Sequence, residues 1–101
     1  MAEVSFGLSP ENWSIVQDLL IRPLRDMRAT IFVFGSRARG DYKPFSDLDI
    51  LVEGDIVPSL LSSISERLEE SNLPIRVDLV LAQELADSYR SNVERDKVKV
   101  S

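Results

Sequence analysis

Three aspartates pose the chemical question. In Ser46-Asp47-Leu48-Asp49-Ile50-Leu51-Val52 two carboxylates stand two residues apart, and a third, Asp78, follows in Arg76-Val77-Asp78-Leu79-Val80-Leu81. If both segments are strands, alternation puts Asp47 and Asp49 on one face and Leu48, Ile50 and Val52 on the other, with Asp78 opposed to Val77, Leu79 and Leu81. Neighbouring strands would then bring three carboxylates to one side of a sheet. Like charges a few ångströms apart raise one another's pKa and weaken the fold, so such a cluster calls for a counter-charge. Two divalent cations about 4 Å apart supply it, and such a pair suits in-line displacement at phosphorus.

A second set of residues fits the same chemistry. Gly35-Ser36 directly follows the apolar run Thr30-Ile31-Phe32-Val33-Phe34. Glycine there lets backbone N–H groups approach a phosphate, and the serine hydroxyl can donate to a phosphate oxygen. Arg37 and Arg39 place two permanent cations alongside, and Gly40 lets the chain turn. Taken singly, each of these has a plain structural explanation, a strand-ending turn or a solvated loop; the combination carries the case.

Composition narrows the alternatives. The chain has 101 residues, room for one small domain and one modest core, so residues 1–101 are expected to form a single domain. Neither cysteine nor histidine is present, which removes thiolate and imidazole as metal ligands, nucleophiles or bases. Any metal must sit on oxygen, which suits magnesium, manganese or calcium. Seventeen acidic against twelve basic residues give a net charge of −5, which counts against direct binding of nucleic acid. Met1 to Leu8 has no basic start with an apolar core behind it, and no run approaches the roughly 18 apolar residues of a membrane span. A cytoplasmic setting without membrane contact is the default expectation.

The elements that must position these residues can be read from periodicity. Ser9-Pro10 resembles an N-cap with proline at the first helical position, and Trp13, Val16, Leu20, Leu24 and Met27 recur at helical spacing, with Pro23 expected to kink or split the helix near Arg22. Thr30–Phe34 is a buried strand, Gly35–Ser46 mainly loop with room for one helical turn at Ser36, and Leu48–Val52 a second strand. Asp55–Ser71 reads as a helix with Leu60, Leu61, Ile64 and Leu68 inward. A third strand runs from about Ile75 to Leu81, and a last helix carries Leu85, Tyr89 and Val93 on one side. The tail from Arg95 to Ser101 fits an edge strand or a frayed end. The expected fold class is therefore α/β (α+β), a small three-stranded sheet flanked by helices. It would be mixed, because the first two strands lack a crossover helix between them.

Gly35-Ser36, ten intervening residues and Asp47-Leu48-Asp49 together resemble the signature of the DNA polymerase beta nucleotidyltransferase superfamily. The run Gly35-Ser36-Arg37-Ala38-Arg39-Gly40 is similar to that of its small prokaryotic branch, the minimal nucleotidyltransferases, and Asp78 matches the third acid. The resemblance covers about Ile31 to Leu81. It implies a palm-like fold with Asp47, Asp49 and Asp78 as catalytic residues and as ligands of two Mg2+ ions. It further implies Gly35 and Ser36 on the β- and γ-phosphates of ATP, and Arg37 and Arg39 as charge neutralisers, although Arg39 could equally form an ion pair with one of these aspartates. In that branch the usual partner is a small helical HEPN-domain toxin, and some members silence it by transferring AMP to a tyrosine. Two readings follow: a Mg2+-dependent adenylyltransferase antitoxin, or a nucleotide-binding antitoxin that works by covering its partner. Tyr89, Val93, Val98 and Val100 either form an interface or complete the core. Tyr42 and Phe45 either meet the base, meet a partner or anchor the motif loop.

Overall fold

A computed structural model describes residues 6–101. The reading of Met1 to Leu8 as free of a leader signal falls largely outside them, and among the described residues no helix is long and apolar enough to cross a membrane. The Ser9 hydroxyl caps α1 (Pro10–Val16) by accepting from the Asn12 amide at 3.2 Å. The helix then widens into a π-turn, Gln17–Ile21, and continues as α2 (Arg22–Asp26). Proline lacks an N–H and crowds the carbonyl four residues back. Here the preceding turn opens instead, with the Arg22 amide donating to the Gln17 carbonyl five residues earlier. The helix thus changes type at Arg22, where a kink or split was expected, while its residues stay helical through Asp26. Met27 does not join the apolar face: the helix has ended, and its side chain is 55% exposed.

The sheet has four strands, not the expected three: β1 (Thr30–Phe34), β2 (Leu48–Glu53), β3 (Val77–Leu81) and β4 (Val98–Lys99), in the order β3-β2-β1-β4. β1 is antiparallel to β2 and β4, and β2 is parallel to β3, so the sheet is mixed as expected. The tail is thus an edge strand, held further by the Val100 amide donating to the Ile31 carbonyl at 2.9 Å. The parallel pair is joined through α4 (Pro58–Glu70), whose Leu61, Ile64 and Leu68 are buried. One short helix, α3 (Ser36–Arg39), stands between β1 and β2.

The two faces of the sheet differ in kind. Ile31, Val33, Leu48, Ile50, Val52, Val77 and Leu81 lie under the first helix and α4 and build the core. On the opposite face the register sets two rows across three strands: Phe34, Asp49 and Asp78, and behind them Phe32, Leu51 and Val80. Over this second face lies α5 (Asp87–Asp96), reached from β3 by a short 3-10 turn, Ala82–Glu84. Leu51 and Val93 are buried there, 2% and 4% exposed. Arg28, between the first helix and β1, takes a left-handed conformation at φ 64°. Glycine adopts that geometry without the Cβ penalty, at some loss of unfolded-state restriction. Arg28→Gly is expected to raise stability by about 0.5 kcal/mol, measured as a higher urea midpoint at unchanged slope.

Candidate active site

Gly35 ties the motif loop to the acids. Its backbone, φ 76° and ψ −155°, lies in a region open essentially to glycine, and a Cβ built there would overlap the Asp49 Oδ2 atom. Both constraints demand glycine at this position. Together they bring the peptide that opens α3 into contact with the central carboxylate. Ser36 starts α3, and Gly40 ends it in the left-handed region at φ 95°, its amide donating to the Ser36 carbonyl at 2.9 Å. The first-turn amides of a helix have no intrahelical acceptor and attract anions, so α3 points suitable donors to the neighbourhood of Asp49.

Arg37 does something other than neutralise phosphate. It is 3% exposed, and its guanidinium donates to three carbonyls: Ser46 through Nε at 3.0 Å, Phe6 through Nη1 at 2.9 Å and Pro44 through Nη2 at 3.1 Å. The Tyr42 ring lies 4.9 Å from its centre, a cation–π contact. The rigid fork of arginine holds the loop before Asp47 against the segment that precedes α1. Gly7 allows this approach, since a Cβ there would strike the Tyr42 ring. Tyr42 therefore anchors the loop, whereas Phe45 stands 80% exposed at its tip. The turn below Phe45 is closed twice, by the Lys43 amide on Ser46 Oγ at 2.8 Å and by the Ser46 amide on the Lys43 carbonyl at 3.0 Å.

The other motif cation remains near the acids. Arg39 donates to Asp96 at 2.9 Å and to Asp41 at 3.2 Å, and its side chain is 42% exposed. These hydrogen bonds, to Asp96 first and Asp41 second, raise its pKa further. Arg39 thus pairs with Asp41 and Asp96, not with one of the three aspartates of the cluster as the alternative had it. Asp96 went unmarked in the sequence: it lies 57 residues beyond Arg39, and no local pattern links them.

The acids share a face but not a closed cage. Asp49 and Asp78 are direct partners across the parallel pair, and Asp47 precedes β2 by one residue. Asp47 and Asp78 are exposed, while Asp49 is half-buried. Burial, then the Asp78 charge, then that of Asp47 push the Asp49 carboxyl up to about 6, against a small opposing pull from Arg39. Among the described residues no three acidic side chains gather closely enough to hold a metal ion as they stand. The donor set is all oxygen, which matches a hard divalent cation, and the strained ionisation of Asp49 is what a cation would relieve.

A carboxyl whose folded pKa exceeds its unfolded value binds its proton more tightly when folded. Ionised Asp49 therefore destabilises the chain fully above about pH 6, and the penalty fades as the pH falls towards 4. After discounting for its half-exposed position, the penalty is on the order of 1–2 kcal/mol. Without added metal, Asp49→Asn is expected to melt several degrees above the wild type at pH 7.5, with the two melting curves merging as the pH approaches 4.

Comparison with known proteins places this geometry. The family model for a nucleotidyltransferase domain matches residues 15–100. A protein adenylyltransferase, MntA of Thermococcus cleftensis, is 45% identical over 71 residues, which span 69% of this chain and 72% of that protein. The structure of a minimal nucleotidyltransferase superposes with a TM-score of 0.62 at 28% identity, covering 89% of each chain. A toxin–antitoxin crystal structure with AMP-PNP shares the fold, with a TM-score of 0.65 at 24% identity over 82% of this chain and 70% of that one.

Proposed function

Since the chain belongs to the nucleotidyltransferase domain family, we propose that it is the antitoxin of a toxin–antitoxin pair and transfers AMP from ATP to a tyrosine hydroxyl of a HEPN-domain toxin. One observation carries the reading: the register that sets Asp49 beside Asp78 also brings the Gly35 backbone against Asp49. Phosphate donors and acids thereby meet around a single carboxylate. The relative from Thermococcus cleftensis is named a protein adenylyltransferase, which supports AMP as the group transferred and a protein as its acceptor.

In this reading Asp47, Asp49 and Asp78 would hold two Mg2+ ions, whose charge would neutralise the triphosphate and acidify the attacking hydroxyl. The amides after Gly35 and the Ser36 hydroxyl hold the β- and γ-phosphates, and Arg39 lies at the edge of the site with charge to offer the leaving pyrophosphate. Arg37 acts at a distance, by fixing the loop that delivers Asp47. Half-burial of Asp49 among apolar neighbours strengthens every electrostatic contact made there. The side chains supply orientation and charge, and no covalent enzyme intermediate is required.

With Mg2+ and ATP labelled at the α-phosphate, the chain is expected to label its HEPN-domain partner, and Asp47→Asn or Asp49→Asn to lower the rate at least a hundredfold. Label arriving only from the γ-position would instead indicate a kinase. Inhibition of the partner without label, unchanged in Asp49→Asn, would indicate an antitoxin that works by steric cover.

A further inference from the structure

Asp78 also lines a cleft on the second face of the sheet. It opens between α5 and the sheet, with a volume of about 290 Å³, and is lined by Phe34, Asp78, Val80, Leu85, Tyr89 and Val93. Pockets for small-molecule ligands run to roughly 300–1,000 Å³, so this one lies at the lower limit of that range. Tyr89 and Val93, four residues apart, share one face of α5, and Leu85 stands in the extended link that leads into it. That face is closed at Val93, 4% exposed, and open at Tyr89, 61% exposed. Tyr89 carries the one hydroxyl among the lining residues.

The position of the cleft gives this hydroxyl a direction of approach. Asp49 is flanked across the sheet by Phe34 on one side, with Gly35 directly after it, and by Asp78 on the other. In an in-line displacement the entering and leaving oxygens lie on opposite sides of phosphorus. With the β- and γ-phosphates at Gly35, the entering oxygen comes from the side of Asp78, which lines the cleft together with Tyr89. Tyr89 is 61% exposed, and an exposed side chain changes rotamer within nanoseconds.

We propose that Tyr89 is itself an acceptor, so that the chain transfers a nucleoside monophosphate from a nucleoside triphosphate to its own phenol. The inference rests on the transfer reading above. The phenolic oxygen forms a bond to the α-phosphorus, and the bond from that phosphorus to the oxygen bridging to the β-phosphate breaks. Pyrophosphate leaves with the electron pair, and the phenolic proton passes to solvent. A nucleotide carried on Tyr89 occupies the cleft, so the modified chain is obstructed at the entrance used by any other acceptor.

The test incubates the full chain with Mg2+ and α-labelled ATP, once alone and once with its HEPN-domain partner. Label is expected in the chain alone, localised to Tyr89 by peptide mass spectrometry, with a rate constant that does not depend on chain concentration. Tyr89→Phe is expected to lose at least nine-tenths of it, and Asp49→Asn to lose it as well. A labelled partner beside an unlabelled chain overturns the proposal and leaves the transfer reading standing. Label on another residue, or a rate constant that rises in proportion to chain concentration, also overturns it. Label in neither protein removes both.

Discussion

The contact between the Gly35 backbone and the Asp49 carboxylate is the constraint on which the rest of the site depends. It requires a residue without a side chain, in a conformation that other residues avoid, at the first position after a buried strand. It also requires Asp49 to stand opposite Phe34, so a slip of one residue between β1 and β2 would turn the acid into the core and Ile50 out of it. The apolar row behind it, Phe32, Leu51 and Val80, withdraws water from the carboxylate, and Asp78 beside it adds like charge. The fold thus holds in readiness an unfavourable ionisation that only a cation or a proton relieves.

So small a chain can hold such a site because it divides the labour between the two faces of one sheet. The aliphatic face carries the core under the first helix and α4, where burial supplies most of the stability. Among the described residues the other face is covered by α5, which leaves it partly open. Cations of the motif loop are divided in the same way. Arg37 is turned inward and spends its fork on three carbonyls, making the approach to Asp47 rigid. Arg39 faces outward and ties the motif helix to Asp96 at the end of α5. The helix that covers the second face and the loop that leads into it are therefore joined by one ion pair.

Much of this was legible before any coordinates. Alternation in Asp47-Leu48-Asp49-Ile50 separated an acidic from an apolar side, and the structure keeps that separation, with Asp78 in phase on the neighbouring strand. Leu51 escaped notice because a lone aliphatic residue beside aspartates does not reveal that a helix will cover it. The role of Arg37 was hidden for a related reason: next to a glycine-serine turn, an arginine bound for phosphate and one bound for carbonyls look the same. Its partners Phe6, Pro44 and Ser46 are brought together only by the tertiary fold. β4 has two residues in the ladder, too few for periodicity to separate it from a frayed end. Side-chain convergence was the least legible, since register places Asp47, Asp49 and Asp78 on one face without closing them around a common point.

If the proposed function holds, a cation carried with a nucleotide relieves the unfavourable ionisation of Asp49. The melting temperature of the wild-type chain and of Asp49→Asn tests this at pH 7.5, with increasing Mg2+ and a fixed excess of a non-hydrolysable ATP analogue. A ligand that binds only the folded state at a hundred times its dissociation constant contributes about 2.7 kcal/mol, which a domain of this size shows as a shift of roughly 10 °C or more. That rise is expected for the wild type, and little or none for Asp49→Asn. Equal rises in the two chains, or none in the wild type, would contradict it.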